Sequence, residues 1–102
     1  MFFIWDDGYK REELIVHKIK VEVINETGLH ARPASVFLKE ALKYKSDITV
    51  IKDSKEYNGK SIINILRMGA SKGDMLTLSI LGEDEEKAAK VLKEMFANGF
   101  GE

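Results

Sequence analysis

His30 sits in the run Gly28-Leu29-His30-Ala31-Arg32-Pro33-Ala34. An imidazole is a nucleophile that is partly neutral near pH 7 without any shift of its pKa. Arg32 follows two positions later, and Pro33, the only proline in the chain, comes directly after it. A residue that transiently carries a phosphoryl group needs surroundings of this kind. A guanidinium offers charged, bidentate hydrogen bonds to the dianion. The free N–H groups and dipole of a helix N-terminus add further stabilisation. Gly28 and Ala31 keep the surface open, so that a second protein can bring a donor in line. Thr27 offers a hydroxyl as further phosphate support. The same residues also fit a mediocre N-cap followed by a solvated charge, and spacing alone leaves that reading open. A metal site pairing His17 with His30 has no support, because neither has a second His or Cys at helical spacing. His17 reads as an exposed residue leading into the first strand, and no metal or cofactor is expected.

The elements that must position His30 follow from periodicity. Ile19, Val21 and Val23 alternate with Lys18, Lys20 and Glu22, the pattern of a half-buried strand over residues 18–24. Asn25-Glu26-Thr27-Gly28 breaks it. Ala34, Phe37, Leu38, Ala41 and Leu42 then recur at helical spacing, which predicts a helix from about Ala31 to Tyr44. Pro33 is tolerated there because first-turn N–H groups lack intrahelical acceptors. Ile48–Lys52 and Lys55–Asn58 read as two strands joined by a tight turn at Asp53-Ser54. Ser61 N-caps a short helix from Ile62 to about Met68, which Gly69 ends. Met75–Leu81 alternates as a fourth strand. Asp84 caps a last helix whose stripe is Ala88, Val91, Leu92, Met95 and Phe96, with Gly99 closing it. The order from Lys18 is therefore β-α-β-β-α-β-α, an α+β plan in which one sheet carries its helices on one face.

Composition narrows the function classes. The 102 residues suit one domain, which reads as an N-terminal extension of unknown role (1–17) followed by the β-α-β-β-α-β-α unit (18–102). With 44% hydrophobic residues the chain can build a core without staples, and with no cysteine it has no disulfide, thiolate or Cys-based zinc site. A formal net charge of -1 argues against a general nucleic-acid binder. No apolar run approaches the ~18 residues of a membrane span. Met1-Phe2-Phe3-Ile4-Trp5 is too short for a signal peptide and lacks a basic flank, so a cytoplasmic location is expected. Leaving Phe2, Phe3, Ile4 and Trp5 in water is unfavourable at ~25 cal/mol per Å². Packing on the domain, a dimer contact and a non-native start all remain open.

Three blocks carry a resemblance. Gly28-Leu29-His30-Ala31-Arg32-Pro33-Ala34, Asn58-Gly59-Lys60-Ser61-Ile62 and Met68-Gly69-Ala70-Ser71-Lys72-Gly73-Asp74 resemble, in order and spacing, those of the HPr family. These are histidine-containing phosphocarriers of the bacterial phosphoenolpyruvate:sugar phosphotransferase system. The likeness runs over about residues 18–102, ending in Gly99-Phe100-Gly101-Glu102. It implies an HPr-like open-faced β-sandwich, a four-stranded antiparallel sheet under three helices. It also implies that His30 accepts a phosphoryl group on Nδ1 from enzyme I and passes it to sugar-specific IIA proteins, with Arg32 stabilising the phosphate.

The resemblance extends to regulation and docking. In some relatives the serine matching Ser61 is phosphorylated by an ATP-dependent kinase, which implies a serine kinase/phosphorylase and a catabolite-control transcription factor as partners. A phosphate there adds about -1.5 to -2 charge to the docking face. The short helix holds Ile62, Ile63, Ile65, Leu66 and Met68, more apolar surface than one buried stripe needs. The resemblance assigns Ile62, Ile63 and Leu66 outward to partners, with Ile65 and Met68 inward. Arg67, Lys39 and Lys43 extend that surface, a solvated face being the equal alternative for the lysines. A regulatory module acting through Ser61 and a transcription factor, without transport duty, is the second reading. The presence of His30 ranks it behind the carrier. A plain structural domain is the third.

Overall fold

The computed structural model describes residues 17–102. The extension lies outside the described residues apart from His17. The elements run β1 (His17–Glu22), α1 (Ala31–Ala41), β2 (Asp47–Lys52), β3 (Lys55–Asn58), α2 (Ile62–Met68), β4 (Met75–Leu81) and α3 (Glu85–Ala97), then a single 3₁₀ turn, Gly99–Gly101. The four strands form one antiparallel sheet in the order β1-β4-β2-β3. The fold is the expected open-faced β-sandwich.

Alternation decides which face is covered. Val21 stands opposite Leu76, and Leu78 and Ile80 of β4 lie opposite Val50 and Ile48 of β2. All six are buried, while Lys18, Lys20 and Glu22 point to solvent. Helices α1 and α3 lower Pro33, Ala34, Phe37 and Ala41, and Ala88, Ala89, Leu92 and Phe96, onto this apolar face. Phe37 meets Phe96 edge-on at 5.8 Å, and Phe96 meets Phe100 at 4.8 Å. Edge-to-face geometry suits the ring quadrupoles and adds about 0.5–1.5 kcal/mol per pair beyond burial. The β2–β3 turn takes positive φ at both Asp53 (51°) and Ser54 (69°), the conformation that matches hairpin twist.

Four expectations are corrected. Helix α1 stops at Ala41, because the chain tightens there, the Lys43 and Tyr44 N–H groups donating to the Glu40 and Ala41 carbonyls, and Tyr44 turns inward. Leu42 is thereby left 58% exposed rather than joining the buried stripe. Strand β1 ends at Glu22, because Val23 leaves the ladder for the loop before β4. Its N–H donates to Asp74 O (3.0 Å) and its carbonyl accepts from Gly73 N–H (2.7 Å). His17 is the first residue of β1 and half-buried, its Nδ1 2.6 Å from Oε2 of Glu85. Asp84 precedes α3 but does not cap it with its side chain.

Asp84 instead ties α3 to the loop after α1. Its carboxylate accepts from Ser46 Oγ (2.5 Å), Lys45 N–H (2.9 Å) and Ser46 N–H (3.0 Å). Ser46 is completely buried, so Asp84 supplies a charged acceptor to groups that would otherwise be costly to bury. The Ser46 hydroxyl first, then the Lys45 and Ser46 amides, pull the Asp84 carboxyl down to about 2. A carboxylate lowered in the folded state adds stability that is complete above its unfolded value of about 4. That stability is lost as pH falls through the folded value. Urea unfolding from pH 7 to 2 should therefore show the gap between parent and Asp84→Asn closing between about pH 4 and 2. A gap that stays constant over this window refutes the assignment.

Candidate functional site

The segment carrying His30 is fixed by a close approach of two loops. Leu29 N–H donates to Ala70 O at 3.0 Å, and both residues are buried. Gly28, at φ +68°, sits against the same carbonyl. A Cβ there would stand 2.3 Å from Ala70 O and 3.0 Å from Ser71 Cα. Only glycine accommodates both the left-handed backbone and this proximity. Above the contact, Lys72 pairs with Glu26, and that hydrogen bond and charge hold the Glu26 carboxyl below its usual range.

His30 then enters α1 as its N-cap with extended backbone (φ −77°, ψ −171°). Its carbonyl accepts the first helical bond, from Ala34 N–H at 2.9 Å, while its imidazole makes no capping bond. The ring is exposed and makes no hydrogen bond among the described residues. The N–H groups of Ala31 and Arg32 have no acceptor among the described residues, and Pro33 contributes no N–H. The ring thus borders a helix N-terminus of the kind that receives anions.

Arg32 is present but turned aside. Its guanidinium is 71% exposed, and Nη1 lies 3.3 Å from Oε2 of Glu102. Glu102 Oε1 accepts from Asn25 Nδ2 at 3.0 Å, and the same amide nitrogen donates to Gly99 O at 2.8 Å. Thr27 is exposed and lines a shallow depression together with Asn25, Gly99 and Glu102. Thr27 and Arg32 thus share Glu102 as a neighbour. Asn25 and Glu102 were not singled out from the sequence. The local pattern carries no signal for a contact that spans 77 positions.

Ser61 N-caps α2 as expected, its Oγ accepting from Asn64 N–H (3.3 Å) and Asn64 Nδ2 (3.0 Å). Of the docking candidates, Ile63 (63%) and Leu66 (44%) are exposed, whereas Ile62 is half-buried and packs against the core. The outward assignment of Ile62 is therefore corrected: at the first position of α2 its side chain packs against the core instead. Ile65 and Met68 are buried, as expected. Leu66 borders a depression of about 240 Å³ shared with His30, Ala31, Gly69 and Ser71. Arg67 is exposed, as are Lys39 and Lys43, with Lys43 paired to Glu40 at 3.0 Å. Among the described residues no cluster of three or more His, Asp or Glu side chains could hold a metal ion. No helix there is long and apolar enough to cross a membrane.

The family model described as the PTS HPr component phosphorylation site matches residues 17–98. This chain belongs to the HPr family. It is similar to the phosphocarrier protein HPr of Neisseria meningitidis, 38% identical over 85 residues that cover 83% of this chain and 96% of that protein. It is also similar to the HPr-like protein Crh of Bacillus subtilis, at 45% identity over 73 residues, 72% of this chain and 86% of that one. Among solved structures, HPr-C-His from Thermoanaerobacter tengcongensis superposes with a TM-score of 0.82. That pair is 45% identical, covering 84% of this chain and 97% of the other.

For this HPr-family chain, the Gly28–Ala70 approach is the element without which His30 cannot stand where it does. Gly28→Ala should lower stability by at least ~2 kcal/mol, through left-handed strain plus displacement of the 70–71 backbone. It should also speed hydrogen exchange at the Leu29 amide. Urea unfolding and exchange NMR read both, and an unchanged midpoint refutes the contact.

Proposed function

We propose that the chain is a phosphoryl carrier of the phosphoenolpyruvate:sugar phosphotransferase system, taking its phosphoryl group from enzyme I at His30 and giving it to IIA proteins. The observation that supports this best is the exposed His30 imidazole beside the Ala31 and Arg32 N–H groups, none of which has a hydrogen-bond partner among the described residues. In acceptance, the imidazole lone pair forms a nitrogen–phosphorus bond as the bond from phosphorus to the donor's leaving atom breaks. That electron pair stays on the donor. Release to the acceptor is the same exchange in the opposite sense. The imidazole is regenerated in each round, so in this reading the chain acts as a carrier, in the cytoplasm with its partners, and not as an enzyme with turnover of its own. In this reading Arg32 leaves Glu102 for the phosphate, and Thr27 adds its hydroxyl. Ile63 and Leu66, flanked by Arg67, Lys39 and Lys43, form the surface that partners meet. Leu66 borders the depression that His30 also lines.

Ser61 supports a second, regulatory role in the same molecule. Its oxygen is held at the start of α2, next to Ile62 and Ile63. A phosphate there meets the Asn64 N–H and amide donors and leaves the fold intact. It would place about two negative charges against the docking face, repelling an acidic partner and attracting a basic one. A serine kinase/phosphorylase and a catabolite-control transcription factor are the partners this role requires. The similarity to Crh is in keeping with it.

Two labelling experiments separate the roles. With enzyme I and phosphoenolpyruvate, the chain should gain one acid-labile, base-stable phosphate that His30→Ala cannot acquire; labelling of that variant removes His30 from the mechanism. Arg32→Ala should slow transfer roughly ten- to a hundredfold, the value of one charge-assisted hydrogen bond. Its stability should change by less than ~1 kcal/mol, because the residue is exposed. Equal rates remove Arg32. With ATP and a cognate kinase, an acid-stable phosphate should appear and be absent from Ser61→Ala. Its persistence in that variant displaces the regulatory site.

A further inference from the structure

The outer flank of β1 carries an apolar groove. Among the described residues β1 pairs with β4 alone, so its other edge has no strand beside it. An open edge presents unpaired backbone groups, which folded chains cover or guard with charge. Helix α3 packs on β1, and a groove of about 250 Å³ lies between the strand and the second half of the helix. Its lining includes Val21 and Phe96, both buried, and Ile24, which is 44% exposed. Lys20, Glu22 and Lys93 line it as well, and all three are exposed. None of the three takes part in an ion pair among the described residues. The groove is therefore apolar inside, with two cations and one anion around it. Such a recess fits a segment in which bulky apolar side chains stand next to carboxylates.

We propose that this groove is the docking site of the chain's own segment Phe2–Asp7, with Phe2-Phe3-Ile4-Trp5 laid over Val21, Ile24 and Phe96 and with Asp6 and Asp7 against Lys20 and Lys93. Three arguments select this occupant. The first is chemistry: four bulky apolar residues are followed directly by two aspartates, the complement of an apolar recess with lysines at its rim. The second is reach. Residues 6–16 separate Trp5 from His17, the first residue of β1. Eleven residues extend to about 36 Å, against about 20 Å for a six-residue strand, so the segment can double back along β1. The third is concentration. The segment is tethered at His17, so its docking is intramolecular and outcompetes a second copy in dilute solution. Docking covers the open edge of β1 and the exposed side of Ile24, and it removes four large apolar side chains from water. The role of the extension is thus to shield the flank of the sheet.

The test uses the full chain, in which Trp5 is the only tryptophan and reports on the segment directly. Its fluorescence should be blue-shifted relative to the urea-unfolded chain, and the shift should not change on dilution. Ile24→Asp, at an exposed position, should move the emission to that of the unfolded chain. Reversing two exposed charges, Lys20→Glu with Lys93→Glu, should move it in the same direction. Adding Asp6→Lys and Asp7→Lys to that background should restore the blue shift, because the pairing is then re-formed with opposite signs. Far-UV circular dichroism checks that each variant is folded, and the charge reversal carries the test if Ile24→Asp is not. By NMR, Trp5→Ala should shift the amide resonances of Lys20, Ile24 and Ala97 and leave that of Leu29 in place. Parent emission equal to that of the unfolded chain overturns the proposal. A blue shift that survives either groove substitution in a folded chain overturns it too. So does a blue shift lost on dilution, which makes a second copy of the chain the occupant.

Discussion

The contact between Gly28 and the Ala70 carbonyl is the constraint on which the arrangement rests. It joins the loop that leaves β1 to the loop that enters β4, two strands that are already neighbours in the sheet. The bonds of Val23 with Asp74 and Gly73 close the same seam one step earlier. The start of α1 is thereby anchored to the sheet through its preceding loop as well as through the helix's own apolar stripe. His30 inherits this fixed position without contributing to it, and its imidazole makes no hydrogen bond among the described residues. A nucleophile that also capped its helix would have to break that bond to react. Here the N-cap position is filled by His30 while the anchoring falls to Gly28 and Leu29.

A second anchoring problem is solved at the opposite end of the sheet. There Asp84 satisfies the buried Ser46 and the Lys45 amide, and Glu85 holds the Gly82 amide and His17. Both acidic groups lie at the start of α3, where the helix dipole favours negative charge. They serve as acceptors for neighbouring segments, so one feature fixes α3, the first residue of β1 and the loop after α1. From that point α3 runs across the sheet and delivers Phe96, Phe100 and the Glu102 carboxylate to the His30 side. The two ends of the sheet are thus joined through the length of α3.

Much of this was legible in the sequence because it depends on short-range periodicity. The alternation in Met75–Leu81 and the Ser61-to-Gly69 frame of α2 give the observed elements with their observed limits. His30 and Arg32 could be singled out because their chemistry and spacing are local, and three separated blocks resemble a known family. The misreadings share a cause: each depends on a partner distant in the chain. Leu42 has the helical spacing of a core residue, but the inward turn to buried Tyr44 and Ser46 ends the helix before it. Asp84 looks like a cap, yet its stronger acceptor role lies with Ser46, 38 positions away. His17 looks exposed until Glu85, 68 positions on, is brought beside it. Asn25 and Glu102 carry no local signal, because the two meet only once the turn after α3 brings them together.

The energetic scale of the site is as informative as its geometry. Core contacts such as Phe37–Phe96 are buried and made once, at folding. The groups around His30 are exposed: an arginine on a side-chain carboxylate, two unfilled amides and a ring in solvent. Exchanging one anion for another there moves charges that water already screens, so the difference between the two states is small. A site that bound phosphate through buried, fully desolvated partners would hold it too firmly to hand on. It would also make the fold depend on the phosphorylation state. Keeping stability in the sheet–helix core and reactivity on a rigid but solvated rim separates the two requirements. The Gly28–Ala70 seam is what allows a solvated rim to be rigid.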